Sequence, residues 1–150
     1  MSTPASIAFQ ELKAHLKTIT VANGYRQNVN VDSGQPETDA TNDDNLPMLM
    51  LLSLDERFAN NDDTEIHPWS PMQFWQRRVL LFGEVSGKDD WETKRDDLLD
   101  DTRRALARYK KPLTVEPPTF EPPSEGNNVA SFSMFVWFDY VLDYTDISPP

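Results

Sequence analysis

The chain has 150 residues, with 14 Lys and Arg against 25 Asp and Glu, which gives a formal net charge of -11. This length has room for one hydrophobic core, and 38% hydrophobic residues are too many for a wholly disordered protein, so we expect a single folded domain over residues 1–150. The absence of cysteine excludes disulfides, zinc–thiolate sites and iron–sulfur clusters.

The first part of the chain predicts a helix and then a strand. Apolar residues recur every three to four positions on one helical stripe, at Ala5, Phe9, Leu12, Leu16 and Ile19. Thr3 is a suitable cap and Pro4 a suitable first helical residue. Asn23 and Gly24 are expected to close the helix because both tolerate left-handed backbone. Apolar and polar residues then alternate over residues 25–32, which is typical of a half-buried strand.

The middle of the chain predicts two strands between polar loops. Residues 32–46 and 59–65 contain almost nothing that could be buried, so we expect exposed loops there. Residues 48–54 would place apolar side chains on both faces of a strand, which predicts a central strand covered on both sides. Residues 79–85 predict another strand, in which Gly83 indicates a bulge or a close backbone approach.

The last part predicts a second helix and a long final strand. Over residues 91–109, the residues of one face recur at helical spacing, which predicts a helix. Asp89 with Glu92 predicts a capping box at the start of this helix. After a short strand at 113–115, the proline-rich segment 116–126 is expected to form an extended, polyproline-like connection. Alternate apolar residues over 130–144 predict the final strand.

No motif indicates catalysis or a bound cofactor. There is no glycine-rich phosphate loop and no GxSxG, and His15 and His67 have no neighbours at metal-ligand spacing. The acidic clusters offer oxygen ligands that suit calcium or magnesium. However, the acids of residues 96–101 alternate with Lys and Arg, which favours a solvated helix face. We therefore expect a protein that is not an enzyme and needs no metal or cofactor.

Aromatic residues outside the regular patterns are candidates for an interface. Trp69, Phe74 and Trp75 lie among prolines and polar residues, where they could form a carbohydrate platform, a protein-contact patch or part of the core. Phe135 and Trp137 interrupt the otherwise polar face of the final strand. They are the better interface candidates, and either the proline-rich connection or another subunit could cover them.

The order of these features over residues 9–109 forms a recognisable pattern. It consists of Ile19-Thr20 and Asn23-Gly24-Tyr25 at the end of a helix, Pro47 before an apolar strand, Gly83 within a strand, and Asp89-Asp90 before a helix with Leu99, Asp101, Arg104, Ala105 and Leu106. This pattern resembles bacteriophage tail terminator (tail completion) proteins. The resemblance implies an α+β fold, a mostly antiparallel or mixed sheet of four to five strands with two helices packed against it.

The resemblance also implies a structural role in a virion. Such a subunit assembles with itself as a ring, usually a hexamer, at the head-proximal end of the tail tube. There it ends tube polymerisation and provides the head-joining surface, so its partners would be the tail tube protein and a head-to-tail connector or neck protein. DNA would only pass through the channel. The chain would be made in the host cytoplasm, and no membrane contact is expected because no stretch approaches about 18 apolar residues.

Acidic residues are the expected lining of such a channel, because like charge repels DNA phosphates. The best candidates are the loop acids Asp55, Glu56, Asp62 and Asp63. Asp43 and Asp44 are an alternative set, and solubility alone would also account for the acids.

Three other functions compete with a tail terminator. A different head-to-tail connector or neck protein would share its size and its lack of chemistry. An acidic mimic of DNA that inhibits a nucleic-acid-binding enzyme would array its carboxylates in two rows, whereas many acids here lie in predicted loops. A metal-dependent hydrolase that uses the Asp clusters is opposed by the lack of His and Cys ligands.

Overall fold

Two helices pack on one face of a mixed sheet, which confirms the expected α+β fold. The computed structural model describes residues 3–34, 45–59 and 70–145. Over these residues the elements are α1 (Pro4–Leu16), a 3-10 helix (Val21–Asn23), β1 (Asn30–Ser33), β2 (Met48–Phe58), β3 (Met72–Ser86), α2 (Trp91–Ala107), β4 (Leu113–Val115), β5 (Thr119–Glu121) and β6 (Val129–Asp143).

The strands form one sheet in the order β1-β2-β3-β6-β4, and β5 pairs with β6 on the same side as β4. Strands β1 and β2 are parallel, and the other pairs are antiparallel. The described part of the sheet has six strands rather than the expected four to five, because the proline-rich segment contributes β5. The final strand β6 therefore lies inside the sheet, between β3 and the edge made by β4 and β5.

The expectation of a polyproline-like connection is wrong for Thr119–Glu121. These residues pair with residues 131–133 of β6, and the Thr119 and Ser133 hydroxyls lie 2.8 Å apart. Pro118 and Pro122 flank the strand, and proline cannot donate to a strand ladder, so β5 stays short.

Strand β3 is longer than the predicted 79–85. It begins at Met72 and pairs along its whole length with β6, from Met72 opposite Asp143 to Ser86 opposite Val129. Together the two fifteen-residue strands form the centre of the sheet.

The core lies between the helices and one face of this sheet. Leu12, Leu16 and Leu98 from the helices and Phe132 and Met134 from β6 are each at most 1% exposed. Burying a side chain of this size contributes about 1.5–3 kcal/mol. Most of the predicted α1 stripe and most of the alternating apolar residues of β6 lie in this core, so both patterns are confirmed.

Gly83 makes room for an aromatic ring in the core. It lies opposite Phe132 in the β3–β6 register, and a Cβ atom added at Gly83 would lie 2.4 Å from Cε1 of that ring. The prediction of a close approach at Gly83 holds for this side chain rather than for another backbone segment. The register shift in this region lies in β2, between Ser53 and Glu56, rather than at Gly83.

The helix ends match the sequence predictions only in part. The Thr3 hydroxyl accepts a hydrogen bond from the Ser6 amide at 3.1 Å, and Pro4 is the first helical residue, as expected. Helix α1 ends at Leu16, and Gly24, with φ 92°, closes the following 3-10 turn instead. The predicted capping box of α2 does not form. Its N-cap, Asp90, has left-handed backbone with φ 60°, whereas a capping side chain needs the extended conformation to reach the first amides.

The predicted strand over residues 25–32 shrinks to Asn30–Ser33. The Arg26 amide donates a hydrogen bond to Oδ2 of Asp101 at 3.0 Å, so helix α2, rather than a neighbouring strand, satisfies the backbone there. Tyr25 and Val29 are nevertheless buried, which explains the alternating pattern.

Candidate interaction surfaces

The sheet face opposite the helices carries arginine and aromatic side chains side by side. We call this the open face and define it by Leu52, Arg57, Phe74, Arg78, Leu80, Phe82, Phe135 and Trp137. Leu52, Leu80 and Phe135 are in register across three strands, and alternate residues of a strand share a face. The core side chains point to the other face, and neither described helix packs on the open face.

Trp137 is held in the open face by polar contacts. It is 8% exposed, and the Arg57 guanidinium lies 3.9 Å from the ring centroid. The indole Nε1 donates to Oε2 of Glu116 at 2.9 Å. A cation–π contact of this kind contributes about 0.5–2 kcal/mol, depending on burial. Glu116 belongs to the proline-rich connection, so this connection covers part of Trp137. That was one of the two possibilities that the sequence left open.

Ion pairs occupy two of the four predicted channel acids. Asp55 accepts a hydrogen bond from Nε of Arg78 at 2.6 Å, and Glu56 lies 3.2 Å from Nη2 of Arg77. The expectation of loop acids is wrong for both, because β2 continues to Phe58 and includes them. Asp62 and Asp63, and the alternative pair Asp43 and Asp44, lie outside the described residues.

Arg78 also connects the acids to the aromatic residues. Its guanidinium lies 4.5 Å from the Phe135 ring centroid and 5.8 Å from that of Trp137. The half-buried Phe135 therefore lies under a cation whose charge Asp55 balances. A partner that docks here would meet an amphipathic surface rather than a bare apolar one.

The three remaining predicted aromatic residues do not form one patch. Trp69 lies outside the described residues, and Phe74 and Trp75 lie in strand β3 rather than in an irregular segment. Trp75 is half-buried on the helix side and stacks on Phe58 at a centroid distance of 4.3 Å. This contact joins the end of β2 to the first part of β3, and the local sequence could not reveal it.

Phe74 lies at the far end of the open face. It is 48% exposed and opposite Val141, which is 42% exposed, and Met72 beside them is 43% exposed. These three side chains form an exposed apolar tip.

One polar side chain on the open face is buried without a partner. Glu84 lies in register with Met48 and Ser131 and is 4% exposed. Its Oε2 has no hydrogen-bond partner among the described residues. Burial therefore raises the pKa of the Glu84 carboxyl above its ordinary value.

The acids of α2 hold the segment before β1 in place. Asp101, whose side chain is 0% exposed, accepts from the amide and from Nη1 of Arg26, both at 3.0 Å. The hydrogen bond from Arg26 lowers the pKa of the neighbouring Asp100 carboxyl. In the part of the chain that the structure describes, no group of three His, Cys, Asp or Glu side chains is placed to hold a metal ion. Within the same ranges, no helix is both long and apolar enough to span a bilayer.

A second surface lies at the end of α2 and was not predicted from the sequence. Residues 103–111 contain five of the 14 basic residues of this acidic chain. Arg104 and Arg108 lie 5.5 and 5.1 Å from the Tyr25 ring centroid. Lys111 donates to Glu11 at 2.7 Å, which lowers the pKa of the Glu11 carboxyl. The local run of basic residues was visible in the sequence and could have indicated this surface.

The basic run borders an open cleft of about 590 Å³ between helix α2 and strand β4. We call it the α2–β4 cleft. It is lined by Arg103, Leu106, Ala107, Tyr109, Lys110, Lys111, Pro112, Leu113 and Val115. Its lining combines apolar side chains with charged ones, and all the charged ones come from the basic run.

Comparison with known proteins finds a likeness of fold. No protein-family model and no curated protein sequence matches the chain. Among solved structures, the fold is similar to a cryo-EM structure of the sheath/tube terminator of an extracellular contractile injection system, PVC, in its extended state. The TM-score is 0.52 and the sequence identity 15%; the match covers 100% of this chain and 61% of that one. The chain therefore has a terminator-like fold and spans less than two thirds of that protein.

Proposed function

We propose that this chain is a structural tail terminator of a phage or phage-like particle. It forms a ring with itself, a hexamer, at the head-proximal end of the tail tube and ends tube polymerisation there. The observation that carries this proposal is the likeness of the whole chain to a sheath/tube terminator. The order of elements over residues 9–109, which resembles phage tail terminators, supports it independently.

The two surfaces suit a subunit that binds proteins rather than one that performs chemistry. The open face of one subunit would contact a different, unlike surface of the next subunit, which leaves the α2–β4 cleft free for another partner. Contacts of this head-to-tail kind produce a closed ring when the rotation closes. The ring would then bind the tail tube protein on one side and a head-to-tail connector or neck protein on the other. It would act in the virion tail as a non-enzymatic component that needs no metal or cofactor.

We propose the exposed tip of the open face as part of the ring contact, together with Phe135 and Trp137. Phe74 offers accessible apolar area, whereas Trp137 contributes by fixing the surface from below. We retain Asp55, Glu56, Asp62 and Asp63 as channel-lining candidates. Asp55 keeps 56% of its side chain exposed beside Arg78, so it can still face a channel.

Electron microscopy of tails tests the proposed position. Particles that carry a tagged chain should show extra density at the head-proximal end of the tube, and particles without the chain should have tubes of irregular length and no joined heads. Density at the opposite end, or along the whole tube, would rule out a terminator.

A matched pair of variants tests the ring contact. Phe74→Asp should shift the purified chain from ring to monomer in light scattering with no loss of thermal stability, because the side chain is already 48% exposed. Val21→Asp is the control, since Val21 is 57% exposed on the 3-10 helix, away from the open face. If both variants assemble equally well, the tip is not part of the interface.

A further inference from the structure

We propose that the α2–β4 cleft binds an extended, acidic segment of a partner protein, which adds to the sheet as a further strand beside β4. This inference concerns the cleft alone and holds whether or not the chain ends a tail.

The edge of the sheet offers backbone hydrogen bonds. Strand β4 is the last strand on its side in the described sheet. The Glu116 amide donates to the Phe135 carbonyl at 2.9 Å, so residues 114 and 116 turn their backbone groups toward β6. By the alternation of antiparallel strands, Leu113 and Val115 present theirs to the open edge. Such an edge can pair with an incoming strand.

The end of helix α2 lines the other side of the cleft and provides a wall. Leu113 and Val115 lie opposite Phe138 and Val136, both of which point into the core, so all four share the helix side of the sheet. Val115 is still 43% exposed at this edge, beyond which the described sheet has no further strand. A strand added beside β4 would place alternate side chains against the cleft residues of α2, including Leu106.

The charge of the cleft selects the kind of segment. Arg103 and Lys110 line the cleft and form no ion pair with any described residue, although the whole chain carries a net charge of -11. Cations that form no direct ion pair beside an apolar groove favour a ligand that combines carboxylates with apolar side chains. Backbone pairing at β4 favours a polypeptide over a nucleic acid, which offers no strand ladder.

The proline residues limit the length of the added strand. Pro112 precedes β4 and Pro117 follows Glu116, so only residues 113–116 can take part in pairing. We therefore expect weak binding of a short segment, suited to a contact that is repeated around an assembly.

A synthetic peptide of Val-Thr-Asp-Thr repeats with blocked ends tests the proposal on the full chain, because one face of such a strand carries both Val and Asp. Fluorescence anisotropy should show saturable binding, and a matched peptide with Lys in place of Asp should not bind. Arg103→Glu should weaken binding about tenfold, because it replaces an attractive charge by a repulsive one. Lys17→Glu, with the same change of charge at an exposed position outside the cleft, should have little effect.

Hydrogen exchange identifies the mode of binding. The peptide should slow exchange of the Leu113 and Val115 amides, which face the edge, and leave the Thr114 amide unchanged. Val115→Pro should abolish peptide binding without lowering the unfolding midpoint, because proline is tolerated on an edge strand where its missing N–H faced solvent.

Several results would overturn the proposal. They are equal binding of both peptides, absence of binding at millimolar peptide, unchanged exchange at Val115, or displacement of the peptide by a DNA oligonucleotide. If the chain self-associates and Arg103→Glu abolishes that association, a second copy, rather than a partner protein, occupies the cleft.

Discussion

Gly83→Ala should destabilise the protein, although glycine within a strand is normally a weak residue. The new Cβ would lie 2.4 and 2.5 Å from Cε1 and Cζ of Phe132, whereas carbon atoms pack best at about 3.5–4.0 Å. The ring must therefore withdraw by about 1 Å. It has no free space to enter, because Phe132 is 1% exposed and lies within the core.

Two opposing effects determine the size of the change. Overpacking of a core destabilises a protein by about 1–3 kcal/mol. Replacement of glycine by alanine also restricts the unfolded chain, which stabilises the folded state by about 0.4–1 kcal/mol. We expect a net loss of about 1–2 kcal/mol in the free energy of unfolding. For a chain of this size, each kcal/mol lost from the free energy of unfolding lowers Tm by about 2–4 °C.

Urea unfolding of a double-mutant cycle with Phe132→Leu provides the measurement. Leucine removes the ring atoms nearest to the added Cβ, so the double variant should be more stable than the sum of the two single effects predicts. A stabilised Gly83→Ala variant, or additive effects in the cycle, would refute the packing argument.

Three further predictions concern buried polar groups and the open face. Burial raises the pKa of the Glu84 carboxyl, so its ionised form is disfavoured in the folded state and its contribution to stability falls as pH rises from the ordinary value of 4.5 through the raised pKa. Glu84→Gln should therefore stabilise the protein at pH 7 but have little effect at pH 4; equal effects in urea unfolding at the two pH values would contradict this. Asp101→Ala should cost about 1–3 kcal/mol in the free energy of unfolding, because it leaves the Arg26 amide without its acceptor, whereas the guanidinium keeps Asp100. Normal thermal stability of that variant would show that water replaces the carboxylate. Trp137→Asp should lower the Tm of the isolated subunit, since the indole is 8% exposed; loss of ring assembly with an unchanged Tm would instead make Trp137 a direct interface residue.

Local patterns in the sequence predicted the elements whose burial is periodic. The α1 stripe and the alternation of β6 require only that one face be apolar, so both could be recognised without knowledge of their neighbours. Strand β5 was missed because its pairing with β6, rather than its own composition between prolines, determines its structure. The extension of β3 back to Met72 depends in the same way on its pairing with the distant residues 140–143 of β6.

The candidate sites were less predictable than the fold. Phe135 and Trp137 were correctly placed together on the face opposite the core, but the sequence could not show that Arg57 and Glu116 hold the indole between them. The α2–β4 cleft forms between the end of helix α2 and strand β4, which tertiary packing brings together. Its basic run could be seen in the sequence, whereas the groove beside it is a property of the tertiary structure.

The pairing of β3 with β6 determines when the subunit can fold during synthesis. Each residue of β3 meets a partner between 43 and 71 positions later in the chain, from Ser86 with Val129 to Met72 with Asp143. Such long-range contacts form slowly, because a large loop must close, at a cost in entropy, before the pairing can stabilise the fold. Neither helix can bury its apolar face on the complete sheet until the ribosome has released β6. A nascent chain therefore cannot complete its open face early, because Phe135 and Trp137 belong to β6.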